Sequence, residues 1–413
     1  MESTGTSTLR SFDEFYKDLG SAPHARFEER AEKQVVGVDE FERQREHLLN
    51  LYKDVHAEHS FVDSAGQIFD CIPTNEQPAL KGSGKSVATP PDISQELWQP
   101  SGEGRDMLFL GSSQADKFGN PMACPEGTVP IRRVTLEEIS RFDTLEDFFG
   151  KSPRHSPHRT PLLLNIPVPP EVTDSAHDYA IGFQQVPNIG GHSILNIWQP
   201  PCEGAQVSLS QQWYVAPGPW GRQTAEVGWQ VYPQKYGHNR PVFFVYWTAT
   251  DYNGTGSYNY DRGEFVQYSP ACPVGLALPN VSAPGGPQGE IEVAFLLIQA
   301  NWWLFVNGSD AAHAVGYYTT SLYRGGPMTV GAAEIVYGGE TSANGSFPPM
   351  GSGEFAAAGF QHAAYQRDIG YFVQGGGSQV AGLLPGQLSP AQYTVAIGNA
   401  GNWGEYIYFG GPG

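Results

Sequence analysis

From His177 to the C-terminus the chain repeats one texture. Short runs rich in β-branched and aromatic residues recur roughly every 8–12 residues, each closed by Gly, Pro or Asn. Examples are His192–Trp198, Val207–Val215, Glu226–Tyr232, Pro241–Ala249, Ile291–Ala300, Trp302–Val306 and Tyr393–Ile397. Many short strands with turn signals between them predict a mostly β fold, an antiparallel β-sandwich of jelly-roll or lectin-like kind. No fixed-period repeat supports a propeller or solenoid. The 50 glycines, 33 prolines and 16% charged residues suit such strands and turns better than a helical bundle.

The N-terminal part reads differently. Ser11 to Ala57 is charged and helical, with Phe41, Leu48, Leu49 and Tyr52 on one stripe. Ser60 to Pro73 turns extended, and Thr74 to about Gly104 is a Pro/Gly/Ser/Lys-rich tether. Thr135-Leu-Glu-Glu138 opens a short helix through a capping box. The basic, proline-punctuated run Lys151–Arg159 is expected to be exposed, a boundary and a nick site. With 413 residues, two units are expected, 1–160 and 161–413.

A net charge of −19 argues against nucleic-acid binding and is compatible with work at acid pH. Cys71, Cys124, Cys202 and Cys272 form no close pair, so zinc is not expected; they could make two disulfides or stay as buried thiols. The start Met1–Thr8 lacks a secretory pattern, and Ile291–Val306 is too short and polar to span a bilayer. His192, His238, His313 and His362 are isolated in sequence, and no phosphate cradle or nucleophile elbow is present, so neither a metal nor a cofactor is expected.

Carboxylates remain as the chemistry. Alternation in Thr224–Pro233 puts Glu226, Gly228 and Gln230 on one face and Val227, Trp229 and Val231 on the other. Gly228 leaves that first face without a side chain at its middle, which suits an extended chain lying close to the sheet. A solvated strand with a glycine bulge gives the same pattern. Glu340 follows two glycines at the end of a second run, Glu334–Glu340. Two half-shielded glutamates near one another would have raised pKa values and share protons. The spacing leaves open whether they meet or sit in solvent.

The ordered motifs add a resemblance. Phe69-Asp-Cys-Ile72, Gln77-Pro-Ala79 and Cys124–Arg133 resemble activation-peptide motifs of the neprosin family of glutamic peptidases. His177-Asp-Tyr-Ala180, Ser208–Gln211 with Trp213, Glu226-Val-Gly-Trp229, Tyr246-Trp-Thr248, Trp302-Trp303, Gly338-Gly-Glu340 and Met350–Gly353 resemble its catalytic part. The resemblance implies a propeptide acting in cis on a β-sandwich endopeptidase that is secreted, works in acid and cuts proline-containing peptides. It implies Glu226 and Glu340 as the catalytic pair, with Gln211, Trp213, Trp229, Gln230 and Tyr246 as groove residues. The family's local cysteine pair is replaced by Thr255-Gly-Ser-Tyr258 and Asp261–Glu264, so Cys202 and Cys272 are expected to pair instead. Self-processing is expected between about Thr74 and Arg159. The competing readings are a glycan-binding jelly-roll module, for which nine tryptophans speak, and an inactive family member.

Overall fold

The computed structural model describes residues 9–28, 37–93, 98, 110–151 and 176–413. The part ending at Lys151 is a mixed α+β unit. Helices α1 (Phe12–Ser21), α2 (Ala25–Glu28) and α3 (Val38–Tyr52) precede strands β1 (His59–Val62), β2 (Ile68–Pro73) and β3 (Thr128–Arg132), which form one antiparallel sheet. Helices α4 (Leu136–Ile139) and α5 (Leu145–Phe149) follow. Local chemistry sets their starts: Ser11 with Glu14, and Thr135 with Glu138, each close a capping box. Phe12 and Phe15 on α1 meet Tyr52 on α3 edge to face, at 5.5 and 5.7 Å. Asp70 and Arg133 pair across the sheet with both side chains buried.

Cys71 and Cys124 form a disulfide, whereas Cys202 and Cys272 are buried free thiols. The expected Cys202–Cys272 bridge is therefore corrected: each thiol is enclosed in the apolar core, and burial pushes each up to about 12, which keeps it protonated and inert.

The second unit carries β4 (His177–Asn188), β5 (Gly190–Asn196), β6 (Val207–Gly218) and β7 (Gly221–Val231), then α6 (Pro233–Tyr236). Next come β8 (Val242–Thr248), β9 (Ser257–Tyr258), β10 (Val266–Gln267), β11 (Glu290–Ile298), β12 (Asn301–Val306) and β13 (Ala314–Thr319). The chain ends with β14 (Ala332–Ser342), β15 (Ala364–Phe372), β16 (Ser378–Val380), β17 (Leu384–Gln387), β18 (Thr394–Asn399) and β19 (Glu405–Gly410). One sheet runs β17-β4-β14-β6-β7-β8-β9; the other runs β10-β13-β12-β11-β5-β15-β19-β18, with β16 on β15. This is the expected antiparallel sandwich.

Alternation decides which side chains fill it. Val227, Trp229 and Val231 of β7 point between the sheets, where Trp229 Nε1 donates to Asn196 O of β5 at 2.9 Å. Gln212 Nε2 of β6 reaches Ser193 Oγ at 2.7 Å, and Tyr214 stacks on Trp302 at 5.9 Å. A one-residue slip would turn this whole set outward. For one tryptophan, with about 150–250 Å² of surface, that forfeits roughly 4–6 kcal/mol of transfer energy, so register is firmly held.

Both outer faces are covered by the N-terminal unit. On the β12 side, Trp303, Phe305 and Tyr317 pack with Leu80, Ile93 and Trp98 of the tether. On the β7 side, Lys151 reaches Glu226, Phe148 of α5 reaches Lys235 just after β7, and α4 packs on the short helix Pro233–Tyr236.

Candidate active site

Strand pairing brings the two glutamates to one face. Glu226 on β7 stands opposite Trp213 on β6 and Tyr246 on β8; Glu340 on β14 stands opposite Leu209 on β6 and Tyr179 on β4. β6 lies between them, so a carboxylate two strands away faces the same groove. Both are buried, Glu226 at 0% and Glu340 at 3% exposure.

The N-terminal unit fills the space between them with one cation. Lys151 Nζ lies 2.6 Å from Glu226 Oε2 and 3.0 Å from Glu340 Oε2. The two carboxylate oxygens therefore stand no farther apart than those distances laid end to end. Rings of Trp213, Tyr246 and Tyr252 surround the ammonium at 5.4, 5.8 and 6.0 Å. Lys151 is itself only 4% exposed, which corrects the expectation that its basic run begins on the surface. The rest of that run, from Ser152, lies outside the described residues. A buried ammonium needs carboxylates around it, and these two supply them.

Each glutamate also has its own donors. Glu226 Oε1 accepts from Thr224 Oγ1 at 2.7 Å and Tyr252 Oη at 2.8 Å, and Gln211 Nε2 donates to Oε2 at 3.1 Å. Glu340 Oε1 accepts from His177 Nδ1 at 2.7 Å and Tyr179 Oη at 3.2 Å. Burial pushes Glu340 upward, but the Lys151 ammonium and the His177 hydrogen bond outweigh it and hold the carboxyl at about 2. Burial likewise works against the charge on Lys151, and Glu226 and Glu340 outweigh it, so its pKa is raised. Tyr179 and Tyr252 are raised well above their usual value, by burial first and then by the adjacent carboxylates, so both remain donors.

Of the expected groove residues, Gln211, Trp213, Gln230 and Tyr246 share the face of Glu226. Trp229 does not: parity sends it between the sheets, and it is corrected to a core residue. Gly228 also has a different reason. A Cβ there would meet Ser210 O at 2.0 Å and Gln211 Cα at 2.6 Å, so close approach of β6 requires the glycine, not an open space above it. The glycines before Glu340 are equally constrained. Gly338 has φ +138°, and a Cβ on Gly339 would meet Met350 Sδ at 2.5 Å.

Lys151, Thr224 and Tyr252 were not singled out by sequence reasoning, nor were the roles of His177 and Tyr179 in their quoted motif. Tyr252 comes from a turn after β8, where Asp251 and Tyr252 both have positive φ, 55° and 61°. Asp251 is held there by Arg222 Nε at 2.6 Å. A left-handed non-glycine pair costs on the order of 1 kcal/mol or more per residue, and here it aims a phenol at Glu226. No cluster of three or more His, Cys, Asp or Glu able to hold a metal occurs among the described residues. No helix among them is long and apolar enough to cross a membrane.

Solved structures give distant matches. Scytalido-glutamic peptidase with a peptide-based transition state analog aligns at 9% identity, covering 58% of this chain and 99% of that one, with a TM-score of 0.31. SCP-B, a member of the eqolisin family of peptidases in a complex with the tripeptide Ala-Ile-His, aligns at 8% identity and the same coverages, with a TM-score of 0.29. Family models are more direct. The neprosin activation peptide matches residues 60–183, the part that places Lys151 in the groove, and neprosin matches residues 204–412, the part that carries Glu226 and Glu340. With both parts matched in this order, the chain belongs to the neprosin family of glutamic peptidases, with its activation peptide in cis.

Proposed function

We propose that the chain is a latent endopeptidase, active in acid, that hydrolyses peptide bonds at proline through Glu226 and Glu340. The observation carrying this reading is the Lys151 ammonium held between two buried carboxylates, in the space a water and a scissile carbonyl would need. Once Lys151 leaves, the donors on the two glutamates still differ. Glu340 keeps the hydrogen bonds from His177 Nδ1 and Tyr179 Oη and serves as the ionised base. Glu226, held by Gln211, Thr224 and Tyr252, takes the acid's role in the pair.

Glu340 then takes a proton from the water as its oxygen bonds to the carbonyl carbon. Glu226 donates a hydrogen bond to the carbonyl oxygen, and the Gln211 amide supports the developing oxyanion; one such donor contributes about 3–4 kcal/mol. The proton on Glu340 passes to the amide nitrogen as the C–N bond breaks, which returns the base. No bond to the enzyme forms. The rings of Trp213, Tyr246 and Tyr252 offer apolar faces on which a proline ring can stack.

Residues 1–160 are the prosegment in this reading, and 161–413 the enzyme. The Cys71–Cys124 disulfide keeps the two ends of any cut between them joined. Any cut before Lys151 leaves it covalently joined to the enzyme, so in this reading the cut that frees the groove falls beyond it. The test is cleavage of a proline-containing peptide over a pH series by the acid-treated wild type, Glu226→Gln and Glu340→Gln. Loss of cleavage in both folded variants is expected. Full activity in either one would refute the pair.

A further inference from the structure

The groove does not end at the glutamates. Along β7 its floor continues from Glu226 through Gly228 and Gln230 to α6, which carries Lys235. Lys235 is fully buried, with Nζ 2.6 Å from Asp261 Oδ2. Its other partner is the prosegment: Nζ donates to Phe148 O at 2.9 Å and stands 3.7 Å from the centroid of the Phe148 ring. Tyr258, opposite Tyr246 on β9, forms the neighbouring wall at 4.9 Å from the same ammonium. Between this end and the glutamates, Gln230 gives Nε2 to Tyr236 Oη at 2.9 Å, while its buried Oε1 meets no donor among the described residues.

Phe148 precedes Lys151 by three residues, and the chain between them leaves α5 at an extended Gly150, φ −78° and ψ 160°. The prosegment thus reaches from Lys235 to the catalytic carboxylates along one groove. We infer that Lys235, with Tyr258, is a specificity site that binds a backbone carbonyl and an aromatic side chain of the substrate, on one side of the cut, and that Phe148 occupies it in the latent chain. The inference rests on the peptidase reading above. A charge-assisted hydrogen bond to the carbonyl together with a cation–π contact to the ring explains why one ammonium faces both groups of one residue. Removal of the prosegment would leave that ammonium with Asp261 and an open ring-sized place above it. Gln230 Oε1 would be available to an N–H of the same bound chain.

The test uses the acid-processed wild type and a set of alanine-rich peptides with one proline cleavage point. A single phenylalanine is moved from five positions before the cut to five after it. One position, about three or four from the cut, should raise kcat/KM roughly tenfold, through KM. Lys235→Met should reduce that phenylalanine-to-alanine ratio below threefold, a comparison made within one protein. Because Lys235 is buried, a second arm uses wild type only. The octapeptide Thr144–Lys151 should inhibit, and its Phe148→Ala form should inhibit at least tenfold less. Cleavage without any positional preference, or equal inhibition by both octapeptides, overturns the site while leaving the peptidase reading intact. Failure to cleave any peptide, the all-alanine parent included, overturns both.

Discussion

Replacing Lys151 by Met in the intact chain removes one charge and leaves two buried carboxylates facing each other. The size of the effect follows from Glu340. Its carboxyl, with an ordinary value of 4.5, is held at about 2, and this corresponds to about 3 kcal/mol of stability at neutral pH. Because the folded value is depressed, the contribution is complete above the ordinary carboxylate value and drains as pH falls toward 2. Removing one partner of a buried ion pair costs about 3–5 kcal/mol, and proton uptake by the orphaned pair relieves it in acid. Lys151→Met should therefore lower urea-unfolding stability by about 3 kcal/mol at pH 8, with the difference from wild type shrinking as pH falls. At pH 8 the same 3 kcal/mol corresponds to about a hundredfold more of the state with the prosegment lifted, and the factor falls with the pH. Conversion to the smaller form, followed by gel and intact mass, should therefore begin at a higher pH than in wild type, with the largest gain in rate at the least acidic pH. A variant as stable as wild type at pH 8, and converting no faster, would refute the claim that this ammonium holds the chain latent.

Three further outcomes follow from the same geometry. His177→Gln removes the Nδ1 hydrogen bond that lowers Glu340, so the carboxyl rises and the acid limb of kcat/KM should move to higher pH by about one unit; an unmoved limb would show that His177 does not tune the base. Gly228→Ala drives a Cβ to 2.0 Å from Ser210 O and should lower stability by about 3 kcal/mol or more in a denaturant titration, whereas a neutral result would mean the strand spacing is slack. Cys124→Ser opens the loop closed by the Cys71–Cys124 disulfide across 53 positions; a loss of about 4 kcal/mol is expected from chain entropy, read as a lower urea midpoint for the N-terminal unit, and an unchanged midpoint would count against it.

Alternation carried a good part of the account. Period two placed Glu226 with Gln230 and turned Val227 and Val231 inward, because side-chain direction in a strand is a local property. The same parity places Trp229 in the core; its proposed place in the groove came from resemblance, which passes over direction. Glu340 was reachable only through its Gly-Gly-Glu motif, since its pairing with β4 and β6 depends on contacts far along the chain. Gly228 was found as a vacancy, but its cause is the backbone of the neighbouring strand. Lys151 shows the limit most clearly. Read locally, it begins a basic, proline-rich run and belongs in solvent. Its burial is created by Glu226 and Glu340, 75 and 189 positions later, and the one local signal is the apolar Leu145–Phe149 helix that carries it inward.

The central claim is that Glu340 activates water at a site which Lys151 occupies until the prosegment leaves. Peptide-product mass spectrometry over a pH series, run on wild type and Glu340→Gln before and after acid treatment, tests it most directly. The account predicts cuts at proline only in acid, only from the wild type, and only once the Lys151-bearing segment has been cut away. Products from Glu340→Gln, or from a chain that still holds Lys151 in its groove, would contradict it.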